Sequence, residues 1–187
     1  MLFSDRHPRI TRFARVSAGI CGTLMLFAVT ARAQASEGAA QLVASFQSLC
    51  MAQPLDFTRS EQKAAELQLA IQQTIGAPPD ESGYYTRSKS WSVMAGVPHE
   101  FIVSDTHGPK GDFKSCGIRA TEADPADFKG ELVKAMKLGK PTTEAVSADG
   151  MSKHTVWTLG DLTLTLSDKS PQNNKPGVRL LISNKPL

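Results

Sequence analysis

Residues 100–120 read EFIVSDTHGPKGDFKSCGIRA. Glu100 to Asp105 is a strand-forming run, and His107-Gly108-Pro109-Lys110-Gly111 is turn chemistry. Phe113 to Ala120 is a second run, with Cys116, Ile118 and Ala120 on one face. Two short apolar runs joined by a Gly-Pro turn predict an antiparallel pair. No helix-length crossover separates them, and a parallel pair would need one.

The same grammar continues on both sides. Upstream, Lys89 to Ala95 (KSWSVMA) alternates, with Trp91, Val93 and Ala95 on one face, and Gly96-Val97-Pro98 turns. Downstream, Asp124-Pro125 opens a helix, with Asp as cap and Pro in the first turn; Phe128, Leu132 and Met136 form its stripe and Gly139 stops it. Lys153 to Leu159 and Leu162 to Ser167 flank Gly160-Asp161, a hairpin turn signal, and Val178 to Ser183 is the last strand.

Two helices are expected before the strands. Ser36 caps the first, over 37 to about 51. Its face carries Ala39, Leu42, Val43, Phe46, Leu49 and Cys50, and Pro54 ends it. Thr58 and Glu61 read as a capping box for the second, which runs to about Ile75. Ala64, Leu67, Ile71 and Ile75 are its buried stripe. Gly76 and Pro78-Pro79 close it, and 77–87 is a loop. The expected fold is a single α+β domain. It has an antiparallel sheet of about five to six strands with helices on one face, in the order α-α-β-β-β-α-β-β-β.

The N-terminus reads as an export signal. Arg6, Arg9, Arg12 and Arg15 precede an uncharged run from Val16 to Thr30, followed by Ala31-Arg32-Ala33, with small residues where a signal peptidase cuts. The run falls short of the roughly 20 residues that span a bilayer. Residues 1–33 therefore read as a cleavable signal peptide, and 34–187 as one globular domain. The compartment is periplasmic or secreted, and no membrane span follows cleavage. The whole chain carries a formal charge of +3. The first 33 residues hold five arginines and one aspartate, so 16 basic and 17 acidic residues remain. The basicity belongs to the signal, and no basic stripe is left for nucleic acid.

Of three cysteines, Cys21 lies in the signal, leaving Cys50 and Cys116. A pair in an oxidising compartment predicts a disulfide, worth on the order of 4 kcal/mol in chain entropy for a loop of this length. The pair is too far apart in sequence for a redox CxxC, and a zinc site would need four ligands. The residues Phe46-Gln47-Ser48-Leu49-Cys50 and Cys116-Gly117-Ile118 resemble those of small exported proteobacterial proteins with a helix-borne FxxxC and a strand-borne CGI. The resemblance implies the same disulfide and an α+β fold, and it implies no activity.

No assembled chemistry stands out. His99, His107 and His154 lack metal-ligand spacing, and no metal or cofactor is expected. Ser104, Asp105 and His107 are neighbours in sequence, which does not make a triad. No GxSxG, GxGxxG or GxxxxGK[ST] occurs. The densest aromatic and basic stretch is SGYYTRSKSW, residues 82–91. Tyr84, Tyr85, Arg87 and Trp91 are its candidate binding residues, since Tyr, Trp and Arg dominate interface energies. The alternative is that Trp91 packs the core and the tyrosines cover a loop. The function expected is non-enzymatic binding of an envelope or secreted protein, as an inhibitor, immunity or accessory protein. An envelope hydrolase built from scattered residues and a small-ligand carrier are the competing classes.

Overall fold

The computed structural model describes residues 37–51, 55–76, 79–94, 96–148, 150–169 and 176–184. The signal segment 1–33, the Ser36 cap, the Pro54 stop and Pro78 lie outside them. Among the described residues the fold is a single α+β domain of three helices and one antiparallel sheet, as the hairpin grammar predicts. The sheet has eight strands rather than five or six, and the element order is α-α-β-β-β-β-α-β-β-β-β.

Helix α1 covers 37–46 and ends in a π-turn, Gln47–Met51. The predicted stripe is its buried face: Ala39, Leu42, Val43, Phe46, Leu49 and Cys50 all lie in the core. Phe46 is fully enclosed, which stabilises the fold by roughly 1.5–3 kcal/mol relative to exposure. The Cys50–Cys116 disulfide is formed, with Cα atoms 5.5 Å apart. It ties the π-turn to a central strand.

Helix α2 runs Phe57–Glu66 and departs from expectation at both ends. Asp56, not Thr58, is the cap: its carboxylate accepts the Arg59 N–H at 3.0 Å. Glu61 reaches Lys89 on the sheet, at 3.0 Å, instead of turning back to the cap. At the other end the chain adopts φ +52° at Gln68, a left-handed residue that stops the helix. The Leu69 N–H then closes on the Ala64 carbonyl at 2.9 Å. Residues 70–76, expected to be the last two turns of helix, form strand β1, Ala70–Gly76. Its isoleucines are exposed, Ile71 by 60% and Ile75 by 52%, so the supposed helical stripe is instead a sheet edge. The β-branched residues Ile71, Thr74 and Ile75 fit a pleated strand better than a helix.

The remaining strands are β2 Tyr85–Val93, β3 His99–His107, β4 Phe113–Ala120, β5 Thr143–Val146, β6 Lys153–Leu159, β7 Leu162–Lys169 and β8 Pro176–Ser183. The expected loop thus ends three residues early, because Tyr85 to Arg87 pair with β3. Strand β5 has no alternating apolar pattern; it is short, exposed and held by β6. Helix α3, Pro125–Met136, starts as predicted. Asp124 accepts the Ala126 and Asp127 N–H groups, both at 2.9 Å. It ends at left-handed Lys137, two residues before Gly139.

Across the sheet the strands lie in the order β1-β2-β3-β4-β8-β7-β6-β5. Each half is a helix followed by a four-strand meander: α2 with β1–β4, and α3 with β5–β8. The fourth strands of both halves pair at the centre and the first strands form the edges. Pairing is tight at that centre. A Cβ on Gly117 would sit 2.3 Å from the Leu180 carbonyl oxygen, so only glycine fits there.

One face of the sheet carries the core. Trp91, Phe101, Ile118, Leu180, Leu166 and Thr155 stand in register across six strands. Phe46 of α1, Ala64 of α2 and Phe128 and Leu132 of α3 join their apolar members in one cluster. The opposite face alternates with it and is paved with short hydroxyl side chains. Ser88, Ser104, Ser115, Ser183, Thr163 and Thr158 form one unbroken row over six strands.

Candidate functional site

The aromatic stretch is delivered by a tight turn. The Asp80 carboxylate accepts the N–H groups of Ser82 at 2.8 Å and Tyr84 at 3.0 Å, an Asx turn. The Asp80 N–H donates to the Tyr84 carbonyl at 3.0 Å, and Gly83 takes φ +78° between them. Tyr84 emerges 38% exposed at the corner where β2 begins and β3 ends. His107 lies beneath it. Its ring centroid is 6.2 Å from that of Tyr84 and 5.9 Å from that of Tyr85, and the second pair is stacked. The Asp112 carboxylate holds the His107 Nδ1. Tyr84, His107 and Pro109 border an open hollow of about 460 Å³.

Tyr85 and Arg87 are engaged inward. Both reach Asp105, whose side chain is only 6% exposed. Its Oδ2 accepts from Arg87 Nη2 at 2.8 Å, Arg87 Nε at 3.2 Å and the Tyr85 hydroxyl at 3.3 Å. Asp105 Oδ1 is buried, and among the described residues it has no hydrogen-bond partner. The Arg87 guanidinium also lies 4.2 Å over the Phe57 ring, a cation–π contact that joins the start of α2 to the sheet. Desolvation raises the Tyr85 pKa, the charge and hydrogen bond of Asp105 raise it further, and Arg87 opposes them. The phenol therefore stays a donor at neutral pH.

Trp91 sits apart from this corner. It is 3% exposed and stacked on Phe101 at 5.1 Å, in the core. The four candidates thus divide: Tyr84 is presented to solvent, Tyr85 and Arg87 brace it through Asp105, and Trp91 packs the interior.

The neighbouring Ser104, Asp105 and His107 are not brought together. Ser104 alternates to the other face and donates to Ser88 Oγ at 2.9 Å. A serine and a histidine do meet elsewhere. His99 Nε2 lies 2.7 Å from Ser45 Oγ, and its Nδ1 is 2.7 Å from the Val97 carbonyl. The carbonyl can only accept, so Nδ1 carries the proton and Nε2 accepts from the serine hydroxyl. Burial lowers the His99 pKa, and the Val97 hydrogen bond partly offsets it. Sequence spacing gave no sign of this pair, which is 54 residues apart and joins α1 to β3.

Among the described residues no cluster of three or more His, Cys, Asp or Glu is placed to hold a metal. Nor is any helix among them long and apolar enough to cross a membrane. The disulfide is consistent with an oxidising compartment. No known protein family, curated protein or solved structure matches the chain.

Proposed function

We propose that this chain is an exported, non-enzymatic binding protein of the inhibitor, immunity or envelope accessory class. It would seat a periplasmic or secreted protein partner on the corner formed by Tyr84 and His107. The observation that carries this reading is the mounting of Tyr84. Its backbone is fixed by the Asp80 turn, and the strand that follows is locked by the Tyr85–Asp105–Arg87 network. A large ring held exposed on a rigid support loses little entropy on binding. Tyrosine is also among the residues that dominate interface energy. The adjoining hollow is open and shallow, which suits a protruding side chain from a partner better than an engulfed small ligand.

A photo-crosslinking residue placed at position 84 tests it in the exporting cell. The reading expects a discrete adduct with one envelope or secreted protein, absent when the probe sits at exposed Met94. Equal, diffuse crosslinking at both positions would remove the corner as a binding surface.

The Ser45–His99 pair favours a second reading, an envelope hydrolase. A serine donating to a neutral imidazole is the geometry of nucleophile and base. The imidazole is oriented by a backbone carbonyl rather than a carboxylate, and His99 is 9% exposed, so the structural role is the simpler one. A fluorophosphonate that labels the protein, with labelling lost in Ser45→Ala, would establish the hydrolase.

A further inference from the structure

The charged side chains on the hydroxyl-paved face fall in one transverse row. Ser92, Glu100, Arg119, Arg179, Ser167 and His154 are successive cross-strand partners over β2, β3, β4, β8, β7 and β6. Arg119 and Arg179 are directly opposed on the two central strands. Like charges directly opposite in a sheet are destabilising. Among the described residues the carboxylate that faces both is Glu100, and it is ion-paired with Arg119. Among the described residues Arg179 donates no hydrogen bond. Burial lowers its pKa, the Arg119 charge lowers it further, and Glu100 pulls the other way. Beyond it, Ser167 Oγ is occupied by His154 Nδ1 at 2.8 Å. On the Arg119 side, Glu100 and Ser92 border an open hollow of about 300 Å³.

Among the described residues these three charges sum to +1, and the Arg179 guanidinium fork is uncommitted. Guanidinium recognises carboxylate and phosphate oxygens through paired, planar N–H donors. We infer that Arg179, with Arg119 beside it, forms a binding site for an oxyanion of the carboxylate or phosphate type, at the junction of the two half-sheets. The anion supplies Arg179 with the carboxylate-like acceptor that Glu100 gives Arg119. It removes the repulsion between the two arginines and satisfies the Arg179 donors. The site lies on the face opposite the helices, whereas the Tyr85–Asp105–Arg87 brace lies on the helix-bearing face. It does not depend on the function proposed above.

Thermal melts of the disulfide-intact protein test this, with chloride exchanged for inorganic phosphate or for acetate at constant ionic strength, so that general screening is unchanged. The expected result is a saturable rise in melting temperature with at least one of the two anions. Arg179→Gln should melt no lower than wild type in chloride, because repulsion is relieved, and should lose the response. Arg179→Lys keeps the charge without the fork and should respond more weakly than wild type. It also serves as the test if Arg179→Gln does not fold. No rise with either anion, or an equal rise in wild type and variant, would overturn the site.

Discussion

Arg87 and Asp105 stand directly opposite each other on β2 and β3, and a single Asp105 oxygen takes two hydrogen bonds from Arg87 and one from Tyr85. This buried carboxylate holds the aromatic corner in place. Removing the arginine would take away its ion pair and leave Tyr85 as its donor, since among the described residues the other Asp105 oxygen has no hydrogen-bond partner. Arg87→Ala should therefore destabilise the fold by about 2 kcal/mol. That is less than a fully buried pair would cost, because the Arg87 side chain is 42% exposed and screened by water. Urea unfolding measures it. Asp105→Asn in the same background should recover part of the loss, by removing the charge left without its ion pair.

The disulfide should be complete and stabilising. Alkylation without reductant should find neither Cys50 nor Cys116 free. Cys116→Ala should cost on the order of 2–5 kcal/mol in denaturant unfolding, because the bond closes a long loop between α1 and central β4. Free thiols at both positions in exported protein would contradict the structure.

His99 should make stability fall in mild acid. Its folded pKa is lowered by burial, so the unfolded chain takes up the proton first. The stability from a neutral His99 is complete above the unfolded pKa, about 6.5, and is lost progressively as pH falls below that value. Unfolding free energies from neutral pH downward should show this slope. His99→Gln, which does not titrate, should flatten it.

Ile71 separates the two readings of residues 70–76. On a helical stripe it would be core, and Ile71→Lys would cost several kcal/mol. On edge strand β1 it is 60% exposed, and the change should stay within about 0.5 kcal/mol by denaturant unfolding.

Most of the fold was legible where local chemistry and tertiary packing agree. The Asp124-Pro125 start, the Gly160-Asp161 hairpin and the α1 stripe each follow from residues adjacent in sequence. Residues 67–76 misled because Leu67, Ile71 and Ile75 fall at helical spacing by coincidence, while the deciding event is one left-handed residue, Gln68. Glutamine does not announce that conformation as glycine would. Strand β5 was illegible because an exposed four-residue edge has no apolar period to read. At the candidate site, sequence density located Tyr84 but could not separate it from Trp91. Alternation assigns faces only once the register is known, and the partner that organises the corner, Asp105, lies 18 residues beyond Arg87. The Arg119–Arg179 opposition and the Ser45–His99 pair are products of topology alone.

The most direct test of the binding corner is capture of the crosslinked partner by immobilised Tyr84→Ala, with thermal melts run beside it. Tyr84 contributes an exposed ring and no core packing, so the account predicts an unchanged melting temperature and loss of most partner capture. A variant that melts normally and still captures the partner at the wild-type level would contradict it.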